Sequence, residues 1–471
     1  DTEGESSLRT SRPPLATGDP AVDAPPPTAA PPRPPGRPRT RERGLAMQLV
    51  LLGTFTLSFM TWRVGSVQVS DGIFLCAAVV IAFKLLAGAD ADLAPAHARR
   101  GTVLVLVGSL LLIAGGTLSS FRSWNPTESM SVVLRFAWVT LVLFWLLRTV
   151  CRDRDDLDRV LRAWKASCLV NAGAALLGMA GIAFETTHNG DRQVGLTFHP
   201  NHLSAQLAAT FVFFLVGVPA ARGLSARRAQ IWWLVALGAV SVALFSTGSL
   251  TGLAAVLVGM AAAAATFVAT RAPSPRRRRS PLTPFVVIAV LAAGAVLLFT
   301  SDLPVVDRLL GLREGDRHVV ASVDSRGRRN EMVIDRFDQF LVVGYGFNLG
   351  TARLDPINPD NPAVRNFGVH NMYLSVLYQA GLPALLGVLL MLTTTLRQLV
   401  ALRLRADPHL RMLVVGLVGS FAAVTPTAML QPPTFDRFFW MPVALTGALW
   451  SIRRRELRAA RHDAAPRTSA A

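Results

Sequence analysis

Residues 368–387 (GVHNMYLSVLYQAGLPALLG) place two polar side chains directly before a long apolar run. His370 and Asn371 come first, and Tyr373 follows at a spacing that allows it to share a helix face with His370. Histidine titrates near neutrality and is the side chain used most often as a general base. A single histidine at the end of a membrane helix is more often a polar anchor, so its surroundings must decide between anchor and base.

A second polar cluster lies in residues 191–208 (DRQVGLTFHPNHLSAQLA). Pro200 suits the first turn of a helix, so His199, Asn201 and His202 would surround one end of that helix. A metal site built on the i, i+3 pair His199 and His202 lacks a carboxylate or further histidine at ligand spacing, and we expect none. Helix capping and substrate binding explain the cluster equally well.

Three arginines follow in SRGRRNEMV, at positions 326, 328 and 329. The planar guanidinium group of Arg326, Arg328 or Arg329 suits phosphate oxygens and stays charged at any relevant pH. Anionic lipid head groups are an alternative ligand. A basic cluster within a long, partly folded loop favours a specific anionic ligand.

The elements that must position these residues are membrane helices. The chain has 471 residues, is 51% hydrophobic and contains one uncharged run after another, which predicts an all-α integral membrane protein. About twelve transmembrane helices are expected, at 44–62, 69–88, 101–119, 131–148, 166–184, 201–220, 231–247, 250–269, 285–300, 373–396, 412–428 and 438–452.

The net charge of +18 predicts orientation rather than a nucleic-acid partner. Basic residues cluster in alternate connections, as the positive-inside rule expects of cytoplasmic loops, and no basic patch is interleaved with aromatic residues. The alternation predicts that both termini are cytoplasmic and that His370 faces the other side. The three cysteines show no paired or metal-ligand spacing.

Composition divides the chain into five parts. Residues 1–43 are predicted to be a disordered Pro/Arg-rich cytoplasmic tail, because they lack any apolar period. Helices 1–9 occupy 44–300, an extracytoplasmic loop with an amphipathic helix occupies 301–372, helices 10–12 occupy 373–452, and a basic cytoplasmic tail occupies 453–471. In the loop, Gly344 and Gly346 (VVGYGFNLG) predict a structural turn rather than a dinucleotide site.

Three short segments resemble the O-antigen ligase and Wzy polymerase family of membrane glycosyltransferases. RQVGLTFHPNHLSAQLA is similar to a family segment through Arg192, Gly195, Pro200 and Asn201. RNEMV with the later VVGYGF is similar to a second through Arg329, Gly344 and Gly346. VHNMYLSVLYQAGLPALLG carries the most specific likeness, through His370, Asn371, Tyr373, Leu374 and Gly381. One departure is Leu250, which stands where the family often has an arginine.

The resemblance implies a glycosyltransferase C-like membrane fold and a metal-independent, inverting transfer without cofactor. The donor would be a glycan on undecaprenyl diphosphate, and the acceptor a sugar or a lipid-linked sugar at the outer face of the cytoplasmic membrane. His370 would be the catalytic base. Substrate-binding residues would be Arg329, Arg328, Arg326, Arg192, Asn201, His199, Asn371 and Tyr373. A transporter or flippase for a lipid-linked glycan is the alternative, which the absence of an internal repeat and the few ionisable residues within the predicted spans disfavour.

Overall fold

The computed structural model describes residues 44–64, 67–88, 100–182, 192–216, 224–270, 310–311, 317–347, 369–403, 408–430 and 436–464. These residues are mainly helical, and their only paired strands form a short antiparallel hairpin, β1 (Arg63–Val64) and β2 (Val67–Gln68). Seven helices within these described ranges are long and apolar enough to cross a membrane. An all-α, multi-pass membrane protein is therefore confirmed, whereas the predicted number of twelve crossings is not established.

The helices run in chain order as follows: α1 Leu45–Phe55, α2 Val69–Leu86, α3 Arg100–Ser120, α4 Pro126–Val150, α5 Arg154–Met179, α6 Pro200–Val216, α7 Leu224–Ser246, α8 Leu250–Ala269, α9 Arg317–Ile334, α10 Met372–Arg403, α11 Pro408–Leu430 and α12 Arg437–Ala464. The seven that meet the length and hydropathy requirement are α2, α3, α4, α7, α8, α10 and α11. Within α4, residues Trp138–Val142 form a π-helical turn.

Each predicted apolar run within the described residues contains a helix. The predicted tail at 1–43 and the predicted ninth span at 285–300 lie outside those residues. The amphipathic helix expected within the 301–372 loop is α9, which begins at Arg317 and ends at Ile334. The face of the bundle where α6 and α12 begin is called the site face below.

Two helices extend well past their apolar runs on the opposite face. α5 begins at Arg154, twelve residues before the predicted 166, because the Asp153 side chain accepts the Asp156 N–H at 2.8 Å and caps the helix. α12 continues past 452 to Ala464. The two extensions are joined by Arg154, whose Nε and Nη2 atoms donate to Glu456 at 2.7 Å each. Charged ends stabilise each other here, which a search for apolar residues does not detect.

Close glycine contacts hold α10 against α3. A Cβ atom added at Gly108 would lie 2.6 Å from the carbonyl oxygen of Gly387, and one added at Gly115 would lie 2.7 Å from that of Ala380. Small residues of this kind let two helix backbones approach each other in a membrane. The contact fixes the helix that carries the polar residues before Met372.

α10 is broken at Gly381, where φ is +78° and the backbone is not helical. The Leu382 N–H donates to the Leu341 carbonyl at 2.7 Å, so the loop after α9 occupies the break. The first part of α10, up to Ala380, is therefore a separate short helix that carries its own N-terminal residues. The predicted span at 373–396 lies within α10, and the break at Gly381, whose positive φ suits glycine, is a feature that the prediction did not include.

Candidate functional site

The start of α6 is a cap built from the predicted polar cluster. His199 Nδ1 accepts the backbone N–H of Asn201 at 3.1 Å, and the hydroxyl of Thr197 donates to the His199 carbonyl at 3.1 Å. Helix capping is thus one real role of His199. Because Nδ1 is the acceptor, the neutral ring must carry its proton on Nε2, which makes that nitrogen a hydrogen-bond donor.

Positive groups gather around His199. Burial is the main cause that lowers the pKa of His199 to about 4, and the charges of His202, Arg192, Arg326 and His370 lower it further, in that order. These side chains come from three separate segments of the chain. The structure therefore brings together His199, Arg192, Arg326 and His370, all of which the sequence singled out.

Arg192 forms the buried floor of this cluster, with 8% of the residue exposed. Its Nε donates to the Thr247 carbonyl at 2.7 Å, and its Nη2 donates to Asn201 Oδ1 at 3.1 Å. The guanidinium group is therefore held between the end of α7 and the start of α6. The Asn201 side chain serves to orient Arg192, which is a positioning role that the sequence did not predict.

A tight turn at Gly195 supports Arg192 and His199. The φ angle of Gly195 is +55°, and an added Cβ atom would lie 2.4 Å from Asn171 Oδ1. That amide oxygen accepts the Leu196 N–H at 2.7 Å, while its NH2 group donates to Gln206 Oε1 at 3.0 Å. Only glycine fits this approach without strain. The spacing of arginine, glycine, proline and asparagine in this segment thus has a physical reason at each position.

α9 presents its arginines on two faces. Arg326 and Arg329 are half-buried and share a helical face with Val333, which is fully buried against Phe340, Tyr345, Val369 and Tyr378. Arg328 is exposed on another face. Burial lowers the pKa of Arg329, although an arginine remains charged at neutral pH. Arg326 and Arg329 therefore face the segment that carries His370, and Arg328 is not placed with the cluster.

The loop after α9 is hydrogen-bonded to the break in α10. The N–H groups of Tyr345 and Gly346 donate to the carbonyls of Tyr378 and Gln379 at 3.0 and 2.9 Å. A Cβ atom added at Gly344 would lie 2.3 Å from the Gln379 backbone, and Gly346 has a φ of +96°. The structural turn predicted here agrees with these contacts, and it fixes the arginine-bearing helix relative to His370.

His370 is half-buried directly before α10, between buried Val369 and the helix cap. The cap is Asn371, whose Oδ1 accepts the N–H groups of Tyr373 and Leu374 at 2.9 and 3.1 Å. The sequence predicted that Asn371 binds substrate, but its side-chain oxygen is occupied in the cap. Tyr373 is half-buried and lines an apolar cavity together with Leu389, Leu392, Phe421 and Phe439.

A chain of buried charges, which the sequence analysis missed, joins three helices at the site face. His202 Nδ1 lies 3.1 Å from Asp436 Oδ2. The next residue, Arg437, donates from Nε to Asp71 Oδ1 at 2.8 Å and also contacts Asp71 through Nη2. Both pairs connect segments far apart in the chain. The only available signal was the position of each acid at the start of an apolar run.

The cavity lined by Tyr373 and Phe439 forms a recess at the site face, near the starts of α10 and α12. Gly387 packs on Gly108, which lies twelve residues before the end of α3 at Ser120. Leu389, just after Gly387, lines the same cavity as Phe439 near the start of α12. Among the described residues, no group of three potential metal ligands lies in this recess or elsewhere.

Comparison with known proteins agrees with this arrangement over one third of the chain. Residues 233–389 match the family model described as O-antigen ligase. The matched segment runs from α7 into α10 and contains Arg326, Arg329 and His370. No curated protein matches the chain.

Proposed function

With residues 233–389 placing this chain in the O-antigen ligase family, we propose that it transfers a glycan from an undecaprenyl-diphosphate carrier to a sugar or glycolipid acceptor. The family supports glycan transfer or polymerisation in general. The observation that carries the finer proposal is the gathering of Arg192, Arg326 and His370 around His199. An anionic donor and a hydroxyl acceptor are the substrates that such a set of cations and imidazoles suits.

The proposed reaction is one inverting displacement. The acceptor oxygen attacks the anomeric carbon opposite the diphosphate, and its proton passes to the imidazole of His370. The bond between the anomeric carbon and the phosphate oxygen breaks, and its electron pair stays on the diphosphate. Arg329 and Arg326 stabilise the charge that develops there. No metal is required, because a diphosphate leaves readily once its charge is stabilised.

The recess and its apolar cavity suit a lipid-linked substrate. A diphosphate at the arginines would lie near His370, three residues before Tyr373, which lines the apolar cavity together with Phe439. An isoprenoid chain could extend over that apolar surface while the glycan stays in the aqueous recess. In this proposal about twelve spans form a glycosyltransferase C-like fold in the cytoplasmic membrane, with both termini in the cytoplasm.

Deleting the gene tests the function in cells. We expect one surface glycan to be lost or shortened and the undecaprenyl-linked precursor to accumulate at the outer face of the cytoplasmic membrane. Precursor at that face is open to a glycosidase added to spheroplasts. If the precursor accumulates but resists the enzyme until the cells are lysed, the protein is a flippase rather than a transferase. Restoration of the glycan by the wild-type chain is the control.

Cysteine labelling tests the orientation. In a Cys76→Ala background, the variant Ser322→Cys on α9 should react with a membrane-impermeant thiol reagent in intact cells. The matched variant Ser225→Cys, at the start of α7, should react only after lysis, because the predicted alternation places it in the cytoplasm. Labelling of Ser322→Cys only after lysis would remove the extracytoplasmic site from the proposal.

A further inference from the structure

Two neighbouring histidines at the start of α6 have different partners. The ring centroids of His199 and His202 are 6.1 Å apart. Nδ1 of His199 accepts a backbone N–H, and burial, together with the positive groups around the ring, lowers its pKa to about 4 and keeps it neutral. Nδ1 of His202 instead faces the carboxylate of Asp436 at 3.1 Å. One ring is therefore fixed as neutral, and the other has an anion beside it.

Asp436 can pair with His202 because the next residue, Arg437, is paired with Asp71. The Asp436 side chain is 3% exposed, and Arg437 directs two guanidinium nitrogens to Asp71. Among the described residues, the imidazole of His202 is the cationic partner offered to Asp436. A buried carboxylate at this distance stabilises the protonated ring.

The exposed part of His202 faces the recess. Its side chain is 32% exposed although Nδ1 is buried, so the remaining surface includes the Nε2 edge of the ring. The charged and titratable groups near His199, whose ring centroid lies 6.1 Å from that of His202, are Arg192, Arg326 and His370. At His199, burial first and these positive groups second lower the pKa of the imidazole, and both effects disfavour a protonated ring that lacks a carboxylate. Asp436 offsets these effects for His202 alone.

We propose that His202 binds the diphosphate of the carrier lipid as an imidazolium, through Nε2–H, and that Asp436 is the positioning residue that keeps the proton on Nδ1. The inference rests on the proposed function and extends it to a residue outside the family match. A charge-assisted hydrogen bond from this ring adds to the arginines. Because the protonated ring binds the anion, the contribution of His202 is present at low pH and is lost as the pH rises.

Binding of undecaprenyl diphosphate at different pH values tests this role. Full-length protein in phosphatidylcholine nanodiscs would be titrated with undecaprenyl diphosphate between pH 5.5 and pH 9. The dissociation constant of each variant would be divided by that of the wild type at the same pH, which cancels the titration of the ligand. His202→Gln should bind about tenfold more weakly at pH 6 and approach the wild type at pH 9.

Asp436→Asn provides the sharper readout. This variant keeps the shape of the side chain but removes its charge, so His202 should lose its proton at a lower pH. The affinity of Asp436→Asn for undecaprenyl diphosphate should equal that of the wild type at pH 5.5. As the pH rises, it should fall at a lower pH than the affinity of the wild type does. Asp71→Asn, which removes the acid of the neighbouring pair, is the matched control. It should lower thermal stability but leave unchanged the pH at which half of the pH-dependent affinity is lost. Thermal unfolding of every variant verifies folding.

The outcomes separate the two proposals. The imidazolium role is refuted if the ratio of the His202→Gln and wild-type dissociation constants is constant with pH. It is also refuted if the affinity of Asp436→Asn falls at the same pH as that of the wild type. In either case the proposed function stands. If the wild-type protein does not bind undecaprenyl diphosphate at any pH, the proposed donor fails and the role of His202 fails with it. If Asp436→Asn does not fold, the His202→Gln ratio alone decides.

Discussion

Replacing His370 with Gln should slow glycan transfer by about a hundred- to ten-thousand-fold, the usual effect of losing a general base. Gln preserves much of the size and polarity of the ring but cannot take the acceptor's proton. Binding of the donor should remain near the wild-type level, because the diphosphate contacts are assigned to the arginines. A single-turnover assay with labelled carrier-linked glycan separates the two quantities.

The pH profile gives a second readout for His370. A base must be neutral to act, so the wild-type kcat/KM should fall as the pH decreases through the titration of an imidazole. His199 cannot cause that fall near neutrality, because burial and its positive neighbours lower its pKa to about 4. His409→Gln, at the opposite end of the bundle, is the control and should retain activity. If His370→Gln transfers glycan at the wild-type rate, His370 is only a polar anchor, and His202 should be tested as the general base.

Arg329→Ala should reduce transfer by about a hundred- to a thousand-fold, as does the loss of a donor to charge that develops in the transition state. Arg329 is half-buried on the face of α9 that carries Val333 towards α10. Arg329→Lys keeps the charge but loses the two-pronged geometry of the guanidinium group. Its transfer rate should therefore lie between that of Arg329→Ala and that of the wild type. The rate of release of undecaprenyl diphosphate measures the effect.

Arg328 offers a comparison within the same helix. It is exposed on another face of α9, so Arg328→Ala should lose much less activity than Arg329→Ala. Equal losses would indicate that general basicity, for example towards anionic lipid, matters rather than one fixed contact. Full activity of a folded Arg329→Ala protein would contradict the assignment and leave Arg326, which lies near His199, as the phosphate ligand.

Much of the helical framework could be predicted because membrane segments must satisfy their backbone hydrogen bonds internally and must be apolar where they meet lipid. Those two requirements leave a clear trace in the sequence. Helix ends outside the lipid are not apolar, so hydropathy does not mark them. For this reason α5 and α12 are longer than their apolar runs. The break in α10 did leave a trace, since Gly381 stands two residues before Pro383, a spacing typical of one helix ending and another beginning.

The sequence predicted which residues form the candidate site but not the role of each. Arg326, His199 and His370 were selected by residue type and Arg192 through the family resemblance, and the four lie together. That Asn371 caps α10 and that Asn201 holds Arg192 depends on local geometry that residue type does not reveal. The pairing of His202 with Asp436 could not be predicted, because nothing in either segment indicates which distant helix will lie beside it.

The buried pair Asp71–Arg437 also sets an order of events during synthesis. Its two residues are 366 positions apart, and a ribosome that adds about 5–20 residues per second needs roughly 20–70 s to make the chain between them. α2 is thus inserted long before its partner exists, and Asp71 must wait near the membrane surface, where water can solvate it. The nascent protein acquires Asp436 and Arg437 together, with its last helix. The site is therefore completed in a single late step, and a chain that stops before Asp436 has Arg192, Arg326, Arg329 and His370 but lacks both members of the chain of buried charges that α12 supplies.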